Sequence, residues 1–235
     1  YQELFGGETM VVLFTVPQDK TLVDLFSTGN VAQMNEMEAT LLGNEAVHSV
    51  VSPVALLQWS SDLIGKGAAL EIVGRATERD PSDEGKALRQ ADATLTTLRL
   101  GAAGEQSLDN PAWLKFLIYD NTGFGVDADN KVVEPADDQL VVRKPLRAFI
   151  PDPHHAVFGA VLVGNAPLDD LAVGSQAVKD AVQGRTFDDA SVIVTGTPTF
   201  LTDINDYLQG GMLSLGGIAV LVMVVILIVA FKVRW

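Results

Sequence analysis

Cysteine is missing altogether from the 235 residues. No disulfide framework, thiol nucleophile or cysteine-ligated zinc site can therefore be built, although this absence does not separate an oxidising from a reducing compartment. Histidine is scarce, with three in the chain. His154 and His155 stand beside Asp152, but adjacent side chains on a strand point apart and no third imidazole accompanies them, so no metal ligand is assigned. His48 lies in an apolar strand and carries no catalytic role. Positive charge is short as well: Lys+Arg 16 against Asp+Glu 30 gives −14. Leaving out the two cations after residue 210, Lys232 and Arg234, puts −16 on the remainder. Such a surface repels nucleic acid and anionic headgroups, and nucleic acid is excluded as a partner.

Catalytic signatures are absent too. There is no G-x-S-x-G elbow and no G-x-x-x-x-G-K-[ST] loop, and Gly65-x-Gly67 lacks the rest of a dinucleotide fingerprint. The carboxylate pairs Asp137-Asp138, Asp169-Asp170 and Asp188-Asp189 sit at helix starts or in loops, where acids stabilise N-termini or face water. The sequence assigns no catalytic residue and no cofactor-binding residue, implies no cofactor, and points away from an enzyme. The chain opens at Tyr1 without the basic, apolar and small-residue regions of a signal peptide, so a natural start further upstream is expected.

What is present is a long apolar run, MLSLGGIAVLVMVVILIVAF, from Met212 to Phe231, uncharged and with Ser214 its only polar side chain. Twenty residues at a rise of about 1.5 Å cross about 30 Å of hydrocarbon, and no turn signal splits the run after Gly217, which predicts a transmembrane helix rather than strands. Lys232 and Arg234 follow it while Asp203 and Asp206 precede it. The positive-inside rule then places the C-terminus in the cytoplasm, the bulk of the chain outside the plasma or inner membrane, and Trp235 at the interface. An outer domain of this size has to be carried across, which predicts an earlier membrane helix upstream of Tyr1. Gly216-Gly217 and Gly210-x-x-x-Ser214 permit close helix approach within a bundle.

The remaining chain, 48% hydrophobic overall, suits a domain with a real core. Domain limits of 1–209 for the outer domain and 210–235 for the membrane helix follow. Thr9–Val16 reads as a buried strand, Leu22–Leu42 as a helix capped by Gly43, Val47–Val51 as a second strand, and Ser52-Pro53 as the start of another helix. The order returns with a strand at Ala156–Val163, a helix at Leu168–Val182 and a strand at Ala190–Thr195. The expected fold is α+β: two βαβ units in a split, ferredoxin-like sheet with helices on one face. Between them, residues 60–145 read as a helical insertion with a charged run, Gly74–Arg89, an acidic loop, Asp127–Asp138, and an edge strand within Leu140–Ile150, where Pro145 excludes a central position. Trp113, Phe116, Leu117 and Tyr119 form an apolar-aromatic cluster that serves either as core or as the lining of a lipid groove. After a Gly196-Thr197-Pro198 turn, a short helix bearing Phe200, Ile204 and Tyr207 leads into the span.

This order of features, together with Val47-His48-Ser49-Val50-Val51-Ser52-Pro53, Asn110-Pro111-Ala112-Trp113 and Val194-Thr195-Gly196-Thr197-Pro198, resembles the first extracytoplasmic loop and second membrane helix of the RND (resistance-nodulation-division) superfamily. Within it the likeness is to MMPL-like exporters, grouped with the mycobacterial membrane protein large and hopanoid transporters. The resemblance implies a parent with two pseudo-repeated halves, each with an outer porter domain, that exports lipids or other hydrophobic molecules on the proton gradient. Its partners are the bilayer, the remaining membrane helices, the second porter domain and a lipid-like substrate. Proton-relay acids belong to later helices of that family, and the present span carries no ionisable residue from Gly211 to Phe231. A single-span, membrane-anchored binding or assembly subunit is the competing class. An outer-face hydrolase is a distant third, with no nucleophile-base constellation to support it.

Overall fold

The computed structural model describes residues 7–64 and 83–231. The Gly65-x-Gly67 pair, most of the Gly74–Arg89 run and the residues after the span, including Lys232, Arg234 and Trp235, lie outside the described residues. The elements in chain order are β1 (Thr9–Thr15), α1 (Leu22–Leu25), α2 (Thr28–Leu42), β2 (Val47–Val51), α3 (Pro53–Leu63), α4 (Asp83–Ala103) and α5 (Pro111–Ile118). They continue with β3 (Gly125–Val126), β4 (Val132–Val133), β5 (His155–Leu162), α6 (Leu168–Val182), β6 (Ser191–Gly196) and α7 (Thr197–Phe231).

Four strands form one antiparallel sheet in the order β2-β5-β1-β6. Strand β1 is central, with Leu13 facing Val157 on one side and Ile193 on the other. Side chains alternate across a strand. Met10, Val12 and Phe14 of β1 and Ala156, Phe158, Ala160 and Leu162 of β5 are accordingly buried on one face. The other face carries Val11, Leu13, Val157 and Val161, which are only half-buried. Between β2 and β5 the register slips at His48, which is exposed.

The expected helix Leu22–Leu42 is two helices. At Thr21 the backbone N–H and the hydroxyl both donate to the Asp24 carboxylate, at 2.8 and 3.1 Å, which closes a single helical turn. Ser27 then takes extended backbone (φ −59°, ψ 152°) and its carbonyl accepts from Val31 N–H at 2.9 Å, starting α2 in a new direction. The break lets Leu22, Leu25 and Phe26 bury together with Met34, Met37 and Leu41, which one straight helix would spread along its length. Buried Asn30 then ties α2 to the turn before β6. Its amide donates to the Asp188 carbonyl at 3.0 Å and its Oδ1 accepts from Asp188 N–H at 2.8 Å.

The expected edge strand in Leu140–Ile150 is absent from these described residues. Val142 makes an isolated bridge with Tyr119, and Lys144–Leu146 is a 3-10 turn. Pro145 has no N–H for a ladder and its fixed φ suits that turn. Leu140, Val142, Leu146 and Ile150 are nonetheless buried, so the segment is a wall of the core without being a strand. The acidic stretch from Asp127 is partly ordered: β3 and β4 pair as a short hairpin, and Asp127 Oδ1 accepts from the Asp129 and Lys131 amides at 2.9 and 2.8 Å. Helix α5 of the expected insertion shares its buried residues with the core of the sheet.

Candidate functional site

Two features stand out, a groove beside α5 and the junction from which the apolar helix leaves the sheet. The groove begins with helix capping. Asn110 Oδ1 accepts from Ala112 N–H at 3.1 Å, with Pro111 at the first helical position, and this starts α5. The Asn110 amide also donates to the carbonyls of Ala103 and Glu105, both at 2.7 Å, pinning the end of α4 to the start of α5. Every residue of α5 from Trp113 to Ile118 except Lys115 is buried. Trp113 stacks on Phe116 with centroids 5.5 Å apart and donates from Nε1 to Ser61 Oγ of α3 at 2.8 Å. Of the two readings open for this cluster, core packing is the one realised for Trp113, Leu117 and Tyr119, which expose at most 1%.

A helix end leaves carbonyls without partners, and cations satisfy them well. Two arginines from distant segments do so at α5. Arg99 of α4, 4% exposed, donates from Nη1 to Asp120 O (2.6 Å) and Asn121 Oδ1 (2.7 Å), and from Nη2 to Tyr119 O (3.2 Å). Arg143 donates from Nε to Phe116 O and Leu117 O (3.2 and 3.1 Å) and from Nη2 to Phe116 O (2.9 Å). Both guanidiniums lie within reach of the Phe116 ring, 5.7 Å from its centroid for Arg99 and 5.2 Å for Arg143, and Arg99 also covers Phe124 at 3.6 Å. Burial, followed by the charge of Arg143, pushes Arg99 down to about 10, against the pull of Asp120, Glu134 and Asp92. Burial also lowers Arg143, opposed by Asp120 and Asp92. Both remain cations at neutral pH. Neither has a carboxylate oxygen within ion-pairing distance among the described residues.

Next to this pair the surface opens into a groove of about 430 Å³. Trp59 and Leu63 of α3 and Ile64 just after it form one wall, and Pro145 and Leu146 another. Arg89, Arg143, Asp92 and Asp120 supply its charged groups. Trp59 is 63% exposed, an unusual position for the largest apolar side chain on a helix whose other face is buried through Val54 and Leu57. The sequence reading passed over Arg99 and Arg143. The signal for Arg99 was an arginine between two leucines, Leu98-Arg99-Leu100; Arg143 follows the apolar Val141-Val142 but precedes Lys144, and gives no such signal.

The histidine-aspartate group is a local turn. His155 Nδ1 lies 2.8 Å from both Asp152 carboxylate oxygens, and His154 N–H donates to Asp152 Oδ1 at 2.8 Å. Partial burial acts to raise the Asp152 carboxyl, but these bonds and the His155 charge outweigh it and hold the carboxyl below its usual value. Among the described residues no three His, Cys, Asp or Glu side chains converge as metal ligands. Asp189, at positive φ (55°), pairs with Lys20 at 3.1 Å, while Asp137 starts a 3-10 turn and faces Lys115 at 3.6 Å.

At the junction β6 ends on Gly196 and α7 starts at Thr197 with no loop between. The expected short helix and the expected span are one helix of 35 residues, about 52 Å long. Its first turns pack on β1, β6 and α6: Thr199 Oγ1 lies 3.0 Å from Ser175 Oγ of α6 and 3.7 Å from Met10 Sδ of β1. From Tyr207 to Ile228 it has a mean hydropathy of 2.7 and no part of its most apolar stretch is buried. None of the described residues of the domain covers that stretch, and its apolar atoms require lipid or other helices.

Residues 117–233, from the end of α5 through both long strands β5 and β6 to the end of the apolar helix, match the model of the MMPL family. No curated protein and no solved structure matches the chain. The matched stretch contains Arg143, Pro145 and Leu146 of the groove, and the passage from β6 into α7 at Gly196 and Thr197.

Proposed function

We propose, for a chain that belongs to the MMPL family along residues 117–233, that it supplies the substrate-handling outer domain and one bundle helix of an RND-type membrane exporter of lipids or other hydrophobic molecules. The observation that carries the reading is the loop-free passage from β6 into a bare apolar helix within the matched residues. A helix bonded to the sheet at its first turn moves with the sheet, so a tilt of the domain is handed to the membrane bundle. Residues 1–209 form the extracytoplasmic domain and residues 210–235 the membrane segment with a cytoplasmic end. The strand order, with β1 and β2 both antiparallel to the β5 strand between them, supports a split-βαβ, ferredoxin-like porter domain. In this reading the domain performs no chemistry. It holds a hydrophobic cargo while the remaining membrane helices and a second porter domain complete the path, and the proton gradient drives the cycle through acids outside this chain.

The alternative, an anchored binding subunit, rests on the single candidate span among the described residues. The intact mass of the protein from its native membrane separates the two. A mass several times 25.1 kDa supports the exporter, and a mass near 25.1 kDa sinks it and leaves the anchored subunit.

A further inference from the structure

The groove beside α5 combines apolar walls with a cation, Arg143, that has no carboxylate oxygen within ion-pairing distance among the described residues. Its volume of about 430 Å³ falls inside the range of about 300–1,000 Å³ usual for small-molecule sites. Three of the Arg143 hydrogen bonds come from Nε and Nη2, and all go to backbone carbonyls of α5. Nη1 donates to no group among the described residues. A half-buried guanidinium without a paired carboxylate is costly, and Arg99, 5.7 Å from the centroid of the same Phe116 ring, adds a second positive charge. The acids of the groove are already engaged: Asp92 Oδ1 accepts from Asn121 at 2.7 Å and Asp120 Oδ1 from Thr122 N–H at 2.8 Å. The charged lining is therefore two cations, Arg89 and Arg143, with two carboxylates, Asp92 and Asp120, and Arg143 Nη1 is a guanidinium donor without an acceptor among the described residues at the edge of the apolar walls.

We infer that the groove binds an amphiphile carrying an oxyanion, a long-chain carboxylate or an alkyl phosphate. The anionic group accepts from Arg143 Nη1 while the alkyl chain lies along Trp59, Leu63 and Leu146. This deepens the exporter reading and rests on it for the claim that the bound molecule is cargo. Arg143 recognises the head because a charge-assisted bond in a partly dry site is far stronger than one in water. The exposed Trp59 ring gives the chain an apolar platform and also reports its arrival.

The test uses the full chain in phosphatidylcholine nanodiscs at about pH 8, where a fatty acid is largely ionised. Tryptophan emission is titrated with dibromostearate and with its uncharged primary amide. The Trp59→Phe chain is measured in parallel, so that quenching of Trp113 and Trp235 by lipid-dissolved probe is subtracted. The expected result is Trp59-dependent quenching by the carboxylate at about one-tenth the concentration the amide requires, the size of one charge-assisted hydrogen bond. Equal potency of the two heads overturns the assignment, as does the absence of Trp59-dependent quenching. Arg143→Gln is expected to erase the preference. Because that change also strips bonds from the end of α5, Leu63→Asp serves as a second variant, placing a negative charge at an exposed wall position without touching the cap. It is expected to weaken the carboxylate more than the amide, and an equal effect on both overturns the placement of the head. Neither overturning result touches the exporter reading, which stands or falls on the intact mass.

Discussion

Replacing Gly196 by alanine tests how tightly the apolar helix is joined to the sheet. The backbone there has φ +154°, and a Cβ built on it would lie 2.8 Å from the Thr9 carbonyl oxygen, 2.8 Å from Met10 Sδ and 3.1 Å from Met10 Cα. The methionine sulfur can move aside, but Thr9 O and Met10 Cα belong to the central strand, held by β5 on one side and β6 on the other. Overpacking of this kind costs about 1–3 kcal/mol, and a side chain in glycine's backbone region costs about 1–3 kcal/mol more. The two together come to about 2–6 kcal/mol. At about 2–4 °C per kcal/mol for a domain of this size, the melting temperature of the chain in detergent should fall by about 4–24 °C. Gly210→Ala is the control, since a Cβ there meets nothing within 4 Å. A Gly196→Ala melt within about 2 °C of the control refutes the reasoning, because the junction would then have slack, and a slack junction cannot pass movement from sheet to helix.

Removal of the indole N–H by Trp113→Phe leaves buried Ser61 without its 2.8 Å donor, a loss of about 1–3 kcal/mol in addition to the lost ring volume. With Ser61→Ala in the same chain the two losses should be less than additive in denaturant melts, and full additivity refutes the bond. Asp152 has a folded pKa below its ordinary value, so the stability it contributes is present above that ordinary value and disappears as pH falls through the folded one. Melts of the native chain should therefore drop below about pH 4 more steeply than those of Asp152→Asn, and parallel curves would show that the His154 and His155 contacts carry no weight. Because the chain has no cysteine, a single introduced thiol reports its own side of the membrane. A membrane-impermeant maleimide should label His48→Cys in intact cells and leave Trp235→Cys unlabelled, and the reverse pattern overturns the orientation.

The strands were readable because alternation is a local property. Thr9–Thr15, His155–Leu162 and Ser191–Gly196 lie within a residue of where apolar runs bounded by turn signals placed them. The apolar helix was readable for the same reason, since twenty residues without charge have few places to go. Two segments misled. Leu22–Leu42 carried a continuous apolar pattern, but Thr21 with Asp24 closed one turn and Ser27 opened another, so local capping overrode periodicity. Leu140–Ile150 had the residues of a strand, yet Pro145 and the reach of Arg143 to α5 turned it into a wall.

From composition and order alone come the acidic charge, the absence of thiol chemistry, the long apolar helix and the sequence of strands, because each depends on composition or on residues near one another in the chain. The groove depends on Trp59, Arg99, Phe116 and Arg143, which lie on four separate segments with no common period. Only the closing of α3, α4 and the 143–146 turn around α5 brings two cations to one helix end and leaves an apolar cleft beside them. Likewise, whether the span is tethered by a loop or grows rigidly from the sheet is a matter of contact between Gly196, Met10 and Ser175, which packing decides and hydropathy does not register.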